Sequence, residues 1–474
     1  MTRIIIFLTL ASMSLSGCGA ALKTEYKRPD LNVPTRWSDT ASGGNTATVG
    51  DTADWPSDFG DPELSRLVKL ALERNNDLAA AALRVRQARL TAGLAQDDLF
   101  PDLSATGGTD SQKELKRGDW STTYSTSFAV SYEADLWGKL SRTYDAKKWE
   151  AVATEEDRLS TALSLVGDTM KYYWKTAYYN VRLELSRQNI QSSEETLELV
   201  LAQERYGAST ELEVNEAKQD LASLKAEHQT LVQSRQEAVN ALAILFDMPP
   251  GKIMADPQVL KVATLPTIPA GLPAQLLGRR PDLRAAEFRL RELLADVDAA
   301  RASFYPTLTL TGSLGGSSTE LSEILQNPIA AFASSIALPF LNWNNLQLKK
   351  KKAQAEYDEA VINFRQTLYE AMGDVENALS NRQLLARKDT LLQENLAAAR
   401  KVEHIYQVRY KTGYGTMKDW LDAQNTRRTA EQSVAENLYA RLTNFITLYQ
   451  ALGGAPRQTE AGAETTAASK VQTS

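Results

Sequence analysis

The residues with most to offer chemically stand beside two reversals of the chain. Glu213 follows Thr210 by three residues, and Asp419 follows Thr416 by three. At that spacing hydroxyl and carboxylate cap a helix start reciprocally, so capping is the favoured role of both acids. Asp422 lies one turn further on, where capping needs no carboxylate, although the helix dipole still favours one. Arg409 and Tyr410 precede the second reversal. A hydrogen bond or ion pair between neighbouring helices fits them, and so does ordinary surface packing. Little else is available. The 474 residues include two histidines, His228 and His404, and one cysteine, Cys18. Zinc sites, iron–sulfur sites and thiol catalysis therefore lack material. Both histidines fall in heptad runs, where helix surface is the ordinary reading. No nucleophile–base pair is present, so no enzyme and no bound metal are expected. A net charge of −6 argues against a nucleic-acid partner.

Cys18 has its own context. Arg3 supplies a short positive region, and Ile4 to Leu15 is apolar but too short for a bilayer span of roughly 20 residues. Leu15-Ser16-Gly17-Cys18 follows and resembles a bacterial lipobox, which implies cleavage after residue 17 and a covalent lipid on Cys18. No second cysteine exists to pair with it. Gly19, in place of the aspartate of an inner-membrane retention signal, favours the outer membrane.

The elements that position the acids occur twice. Residues Asp77 to Gly107 and Asp282 to Gly312 align without a gap at an offset of 205 (282 − 77). Each copy runs from a helix-like half into a strand-like half, with Pro101 and Pro306 at the change. A period this long means two tandem copies of one large unit. The first copy has a helical pattern over Pro62–Leu99. Strands follow at about Asp102–Gly108 and Thr122–Glu133, then a helix of about 65 residues from Leu136-Trp137-Gly138. In the second copy Leu308, Leu310 and Leu314 alternate with Thr and Ser, and Phe332, Ile336, Leu338 and Phe340 alternate with small residues.

Such strands suit either a soluble sandwich or a membrane barrel with lipid on one face and a lumen on the other. The export signal favours the barrel. Four strands cannot close one, and open edges are not tolerated in lipid, so the strands must be pooled among several chains. The long helices carry sustained heptads: Val152, Leu159, Val166 and Tyr173; Leu183, Ile190 and Leu197; and Tyr357, Phe364, Ala371, Ala378, Leu385, Leu392, Ala399 and Tyr406. That is coiled-coil packing, and each helix would be roughly 100 Å long. The Lys349–Lys352 run after the last strand reads as a solvated face or an interfacial anchor.

The expected organisation is a signal peptide over 1–17, an extended segment over 18–60 and a first repeat over 61–246. A connector over 247–273 contains six prolines; a second repeat over 274–452 and a disordered tail over 453–474 complete it.

One ordered set of motifs carries a resemblance. It comprises the lipobox, Tyr26-Lys27-Arg28-Pro29, Asp135-Leu136-Trp137-Gly138, Arg205-Tyr206, Arg279-Arg280-Pro281-Asp282-Leu283, Tyr305-Pro306, Arg409-Tyr410 and Leu421-Asp422-Ala423-Gln424. Together they resemble the outer-membrane efflux proteins, the TolC-like channels, in the lipoprotein branch serving RND-type pumps. The resemblance implies a mostly α protein with a membrane β-barrel. Each subunit of a homotrimer would give four strands to one twelve-stranded barrel, above a long coiled-coil tunnel reaching into the periplasm. It places Asp422 in a ring of carboxylates at the tip constriction, near Asp419, Glu213, Tyr410 and Arg409. The turns Gly207-Ala208-Ser209 and Gly413-Tyr414-Gly415 would face a periplasmic adaptor. The first tip is two residues shorter between its tyrosine and its capping threonine than the second. The function implied is a passive exit duct for drugs or other small toxic compounds, fed by an inner-membrane RND-type pump through the adaptor. A channel for protein secretion and a non-pore periplasmic coiled-coil scaffold are the alternatives. The scaffold would need only one hairpin and a soluble sandwich.

Overall fold

The computed structural model describes residues 22–37, 55–113, 115, 118–260, 273–326 and 328–454. The signal peptide, Cys18, residues 38–54, part of the connector (261–272) and the tail from 455 lie outside them. The helices are α1 (Pro62–Arg74), α2 (Asn76–Asp97), α3 (Lys139–Arg205), α4 (Glu211–Ile244), α5 (Leu276–Arg279), α6 (Pro281–Ala302), α7 (Trp343–Lys411) and α8 (Met417–Ala451). The strands are β1 (Asp102–Lys113), β2 (Trp120–Ala134), β3 (Thr307–Ser318) and β4 (Ile329–Ala337). Among the described residues no helix is long and apolar enough to cross a membrane. The chain divides into two compact units, and each draws residues from both sequence repeats.

The first unit takes residues 1–31, 82–157 and 282–367. Its strands form one antiparallel sheet in the order β1-β2-β3-β4. Directly paired residues share a face, so the register decides what each face presents. Val130 stands opposite Leu103 and Gly312, Gly312 opposite Phe332, Phe128 opposite Leu314, and Leu308 opposite Ile336. One face therefore collects the apolar side chains. The other collects Ser104, Thr106, Ser127, Ser131, Thr309, Thr311 and Ser335. Among the described residues nothing covers the apolar face, and Leu103 and Phe332 are both 76% exposed.

Two strands outrun the expected ranges, with β1 reaching Lys113 and β2 beginning at Trp120, and β3 runs to Ser318, past the last alternating leucine, Leu314. Their added residues are mostly polar or glycine and leave no clear alternation to read, but the backbone ladder continues through them. The fourth strand is shorter than expected. It ends at Ala337, and Leu338 and Phe340 fall outside it. Pro339 has no N–H for a ladder and opens a short 3₁₀ turn over Pro339–Asn342 instead.

All four neighbouring helices in this unit meet the sheet at one end. There Trp137 stacks on Tyr305 at 4.8 Å and donates its indole N–H to the Pro306 carbonyl at 2.8 Å. Asp135 accepts from the backbone N–H groups of Leu140 and Ser141 at 2.9 and 2.8 Å, which starts α3. Gly138 takes φ 76°, the left-handed turn that this entry requires. The Asp-Leu-Trp-Gly motif is thus a strand-to-helix joint.

The N-terminal segment runs along α6 as a strap. Thr24 donates through its N–H and its hydroxyl to Asp298, at 2.7 and 2.6 Å, and Arg28 forks onto Glu287 at 3.2 and 2.7 Å. The Arg291 guanidinium lies 4.8 Å from the Tyr26 ring and 4.9 Å from that of Trp149.

The second unit takes residues 32–81, 158–281 and 368–474. The single helix expected from Pro62 breaks at Asn75. Its side chain accepts from Leu78 N–H at 3.0 Å and donates to the Leu245 carbonyl at 3.1 Å. A side-chain amide competing with the helix ladder is the physical cause. In the long helices the heptad positions named above are all buried or half-buried, and none is exposed.

Candidate gate at the helix tips

Both long helices end by the same device. At the first tip Gly207 takes φ 73°; Gly207 N–H donates to Glu204 O at 2.9 Å and Ala208 N–H to Gln203 O at 2.8 Å. At the second, Gly413 takes φ 78°, with Gly413 N–H on Tyr410 O at 3.0 Å and Tyr414 N–H on Arg409 O at 2.8 Å. This is the left-handed C-terminal cap that glycine supplies at least cost. It also corrects the alignment of the tips. Gly207 and Gly413 are 206 apart (413 − 207), and so are Thr210 and Thr416. The two turns have equal length, and the first is not shorter. The counterpart of Tyr410 is Glu204, not Tyr206, which projects 89% exposed. The two Arg-Tyr pairs are therefore not equivalent positions, because the left-handed glycine, not the pair, sets the geometry of each turn.

Each return helix then opens on its threonine. Thr210 accepts from Glu213 N–H, and Glu213 Oε2 accepts from Thr210 N–H at 3.0 Å and from Ser209 Oγ at 2.7 Å, a complete reciprocal cap. Thr416 accepts from Asp419 N–H at 3.1 Å, but the Asp419 carboxylate receives the Thr416 hydroxyl, at 2.7 Å. Aspartate is one methylene shorter than glutamate, so the second tip has only half of the reciprocal pair. Gly207, Ala208, Gly413 and Tyr414 are exposed; Ser209 and Gly415 are half-buried.

The tips pack on one another. Val200, Val214, Ala217, Tyr410, Met417, Trp420 and Leu421 form one apolar cluster from α3, α4, α7 and α8. Tyr410 is 7% exposed, lies 5.4 Å from the Trp420 ring, and donates its hydroxyl to Gln203 Oε1 at 2.8 Å. Burial first, and the Glu213 charge second, push its phenol above the usual range. Tyr410 is therefore a buried tie between α7 and α3 of one chain. Arg409 is exposed, 5.9 Å from the Tyr406 ring.

Asp422 is on the outer face of α8, its side chain 63% exposed, and it receives Lys418 Nζ at 3.0 Å. The carboxylate holds the Lys418 ammonium above its usual range. Lys418, Asp422, Asn425, Thr426 and Thr429 follow three- and four-residue spacing and are all exposed, opposite the buried Trp420, Leu421, Ala423 and Gln424.

Sequence reasoning missed the polar layer behind this face. The Arg428 side chain, 3% exposed, forks onto Asp220 at 2.8 and 3.1 Å and donates to Gln424 Oε1 at 2.9 Å. Ser193 donates to Asp220 at 2.9 Å. Arg427 pairs with Glu403 and Glu431, each at 2.5 Å. Together these contacts tie α3, α4, α7 and α8. The only sequence trace is Gln424 and Arg428 four apart on one face. His228 hydrogen-bonds Ser186 at 3.1 Å, and His404 is exposed. Among the described residues no cluster of His, Cys, Asp and Glu could hold a metal. What the arrangement offers is a tightly tied hairpin pair with one exposed polar face.

A family model described as "Outer membrane efflux protein" matches residues 67–246 and again 272–454. The pyoverdine export outer membrane protein OpmQ of Pseudomonas aeruginosa is 31% identical over 435 residues, covering 90% of this chain and 91% of that protein. The probable outer membrane lipoprotein SilC of Salmonella typhimurium is 30% identical over 450 residues, covering 93% and 96%. Among solved structures, the open state of the Neisseria gonorrhoeae MtrE outer membrane channel superposes with a TM-score of 0.80 at 29% identity, covering 91% of this chain and 98% of that one.

Proposed function

Since the chain belongs to the outer membrane efflux protein family, we propose that three copies pool their sheets into one twelve-stranded barrel, with their helix tips forming its periplasmic gate. The protein is the outer-membrane exit duct of an efflux system, extending into the periplasm. One observation carries the trimer: a four-stranded sheet whose apolar face is uncovered and whose outer strands, β1 and β4, each pair on one side only among the described residues. In lipid an open edge leaves backbone groups without partners, so closure must come from other copies.

In this reading Asp422 of each copy turns toward the axis and Lys418 partly offsets its charge, so the ring is less acidic than carboxylates alone would make it. Glu213 and Asp419 are spent on capping and shape the tips rather than filter. Tyr410 holds the closed packing from inside. The exposed Gly207-Ala208 and Gly413-Tyr414 turns offer the adaptor a surface, and an inner-membrane RND-type pump supplies the drive. A lipid on Cys18 anchors the chain to the membrane. The cargo is small toxic compounds; OpmQ is by its name an exporter of pyoverdine. Native mass measurement of the detergent-extracted protein tests both points. A mass of three chains, each bearing a lipid on Cys18, is expected. A stable folded monomer, or an unmodified Cys18, would overturn the corresponding part.

A further inference from the structure

At the end of the sheet where the helices attach, the chain leaves β4 through Pro339–Asn342 and enters α7 at Trp343. Phe340, Leu341, Trp343 and Leu348 are all exposed there. Lys349, Lys350, Lys351 and Lys352 follow at once. Lys352 is paired with Glu356 at 2.6 Å. Among the described residues no carboxylate lies within ion-pair distance of Lys349, Lys350 or Lys351, and only Lys350 is even half-buried. Three ammonium groups in succession concentrate positive potential on this stretch of the helix, which attracts anions. Among the described residues no carboxylate answers that patch, so an anion from outside the chain can.

We propose that Lys349, Lys350 and Lys351 form a binding site for the anionic headgroups of phospholipids in the periplasm-facing leaflet. The inference rests on the membrane placement of the sheet. Depth supports it. Lys349 to Lys351 lie six to eight residues beyond Trp343, about 9–12 Å along a helix. The headgroup layer begins at the hydrocarbon edge and is roughly 5–8 Å thick on each side. Helical side chains lean toward the N-terminus, here toward the sheet, so the ammonium groups reach back into that layer. The apolar side chains lie on the membrane side of the lysines and the cations on the aqueous side, which is the order an interface selects. Charge complementarity selects an anionic headgroup over a zwitterionic one.

Native mass spectrometry of the full-length protein, in micelles holding equal amounts of phosphatidylglycerol and phosphatidylethanolamine, tests this. Each lysine near an anionic surface contributes about fivefold. We expect wild type to retain the anionic lipid at least about tenfold better. Replacing all three with Gln should bring retention near parity in an intact trimer, and replacing all three with Arg should keep the preference. Unchanged preference in the Gln variant would overturn the site. Displacement of phosphatidylglycerol by inorganic phosphate would assign it to free phosphate instead. Retention of neither lipid by wild type would overturn the membrane placement itself. If the Gln variant does not assemble, amine labelling of wild-type trimers in lipid-free detergent decides. Labelling at these lysines upholds an open site, and protection would make them a subunit contact and overturn the proposal.

Discussion

Removing the Asp220 carboxylate should loosen the hairpin pair more than any change at the exposed tips. Asp220 receives both Arg428 Nη atoms and the Ser193 hydroxyl, and its side chain is only 11% exposed. In Asp220→Ala the Arg428 guanidinium stays enclosed and keeps the Gln424 bond at 2.9 Å, with Asn425 Oδ1 at a long 3.5 Å. Breaking a buried pair from one side costs about 3–5 kcal/mol. The surviving Gln424 bond argues for the lower end. About 3 kcal/mol is roughly a hundredfold in an opening equilibrium. Hydrogen exchange of the α8 amides around Gln424 and Arg428, followed by mass spectrometry on the detergent-solubilised protein, should accelerate by about that factor. Strand amides, in the other unit, should not change. The double variant Asp220→Leu with Arg428→Met should recover most of the protection, since an apolar pair of similar volume replaces a buried ion pair at little cost. Acceleration below about fivefold in Asp220→Ala, or a double variant as loose as the single, would refute a structural role for the pair.

Other consequences are as concrete. Asp422→Ala should weaken block of the isolated channel by multivalent cations while trimers persist, and Lys418→Ala should strengthen that block by uncovering the carboxylate; equal block in single-channel recordings would remove both from the gate. Tyr410→Phe deletes the bond to Gln203, worth about 1 kcal/mol per chain, and should raise spontaneous conductance with little change in assembly, which the same recordings read. In the first unit, burial, and then the neighbouring Glu150 and Asp296, push Glu292 up to about 8 from 4.5. The folded state therefore binds this proton more tightly than the unfolded one. That contribution to stability is complete below about pH 4.5 and lost as pH rises to about 8. Thermal unfolding of Glu292→Gln should lack this loss of stability across that window.

Much was legible because it is local. Strand alternation, the heptads of α3 and α7, and the Thr-x-x-Glu start of α4 are set by residues two to seven positions apart, and they stand as read except at the end of β4, where Leu338 and Phe340 leave the strand. The break at Asn75 was less visible: its side chain takes Leu78 N–H locally, but the carbonyl of Leu245, 170 positions away, holds it. The strap is legible in the sequence only as an extended segment, since its partners Glu287 and Asp298 are more than 250 positions from Arg28 and Thr24. The Asp220–Arg428 pair spans 208 positions and breaks no local rule, because a charged residue on a helix reads as surface until a third and fourth helix enclose it. Register across the two tips was a matter of backbone handedness at Gly207 and Gly413, which outweighed the similarity of two Arg-Tyr pairs. Sequence determined the periodic elements and their order. Tertiary structure decided which polar side chains are sealed from water, because burial depends on what distant segments bring, and it is burial that turns an ordinary charge into a tie.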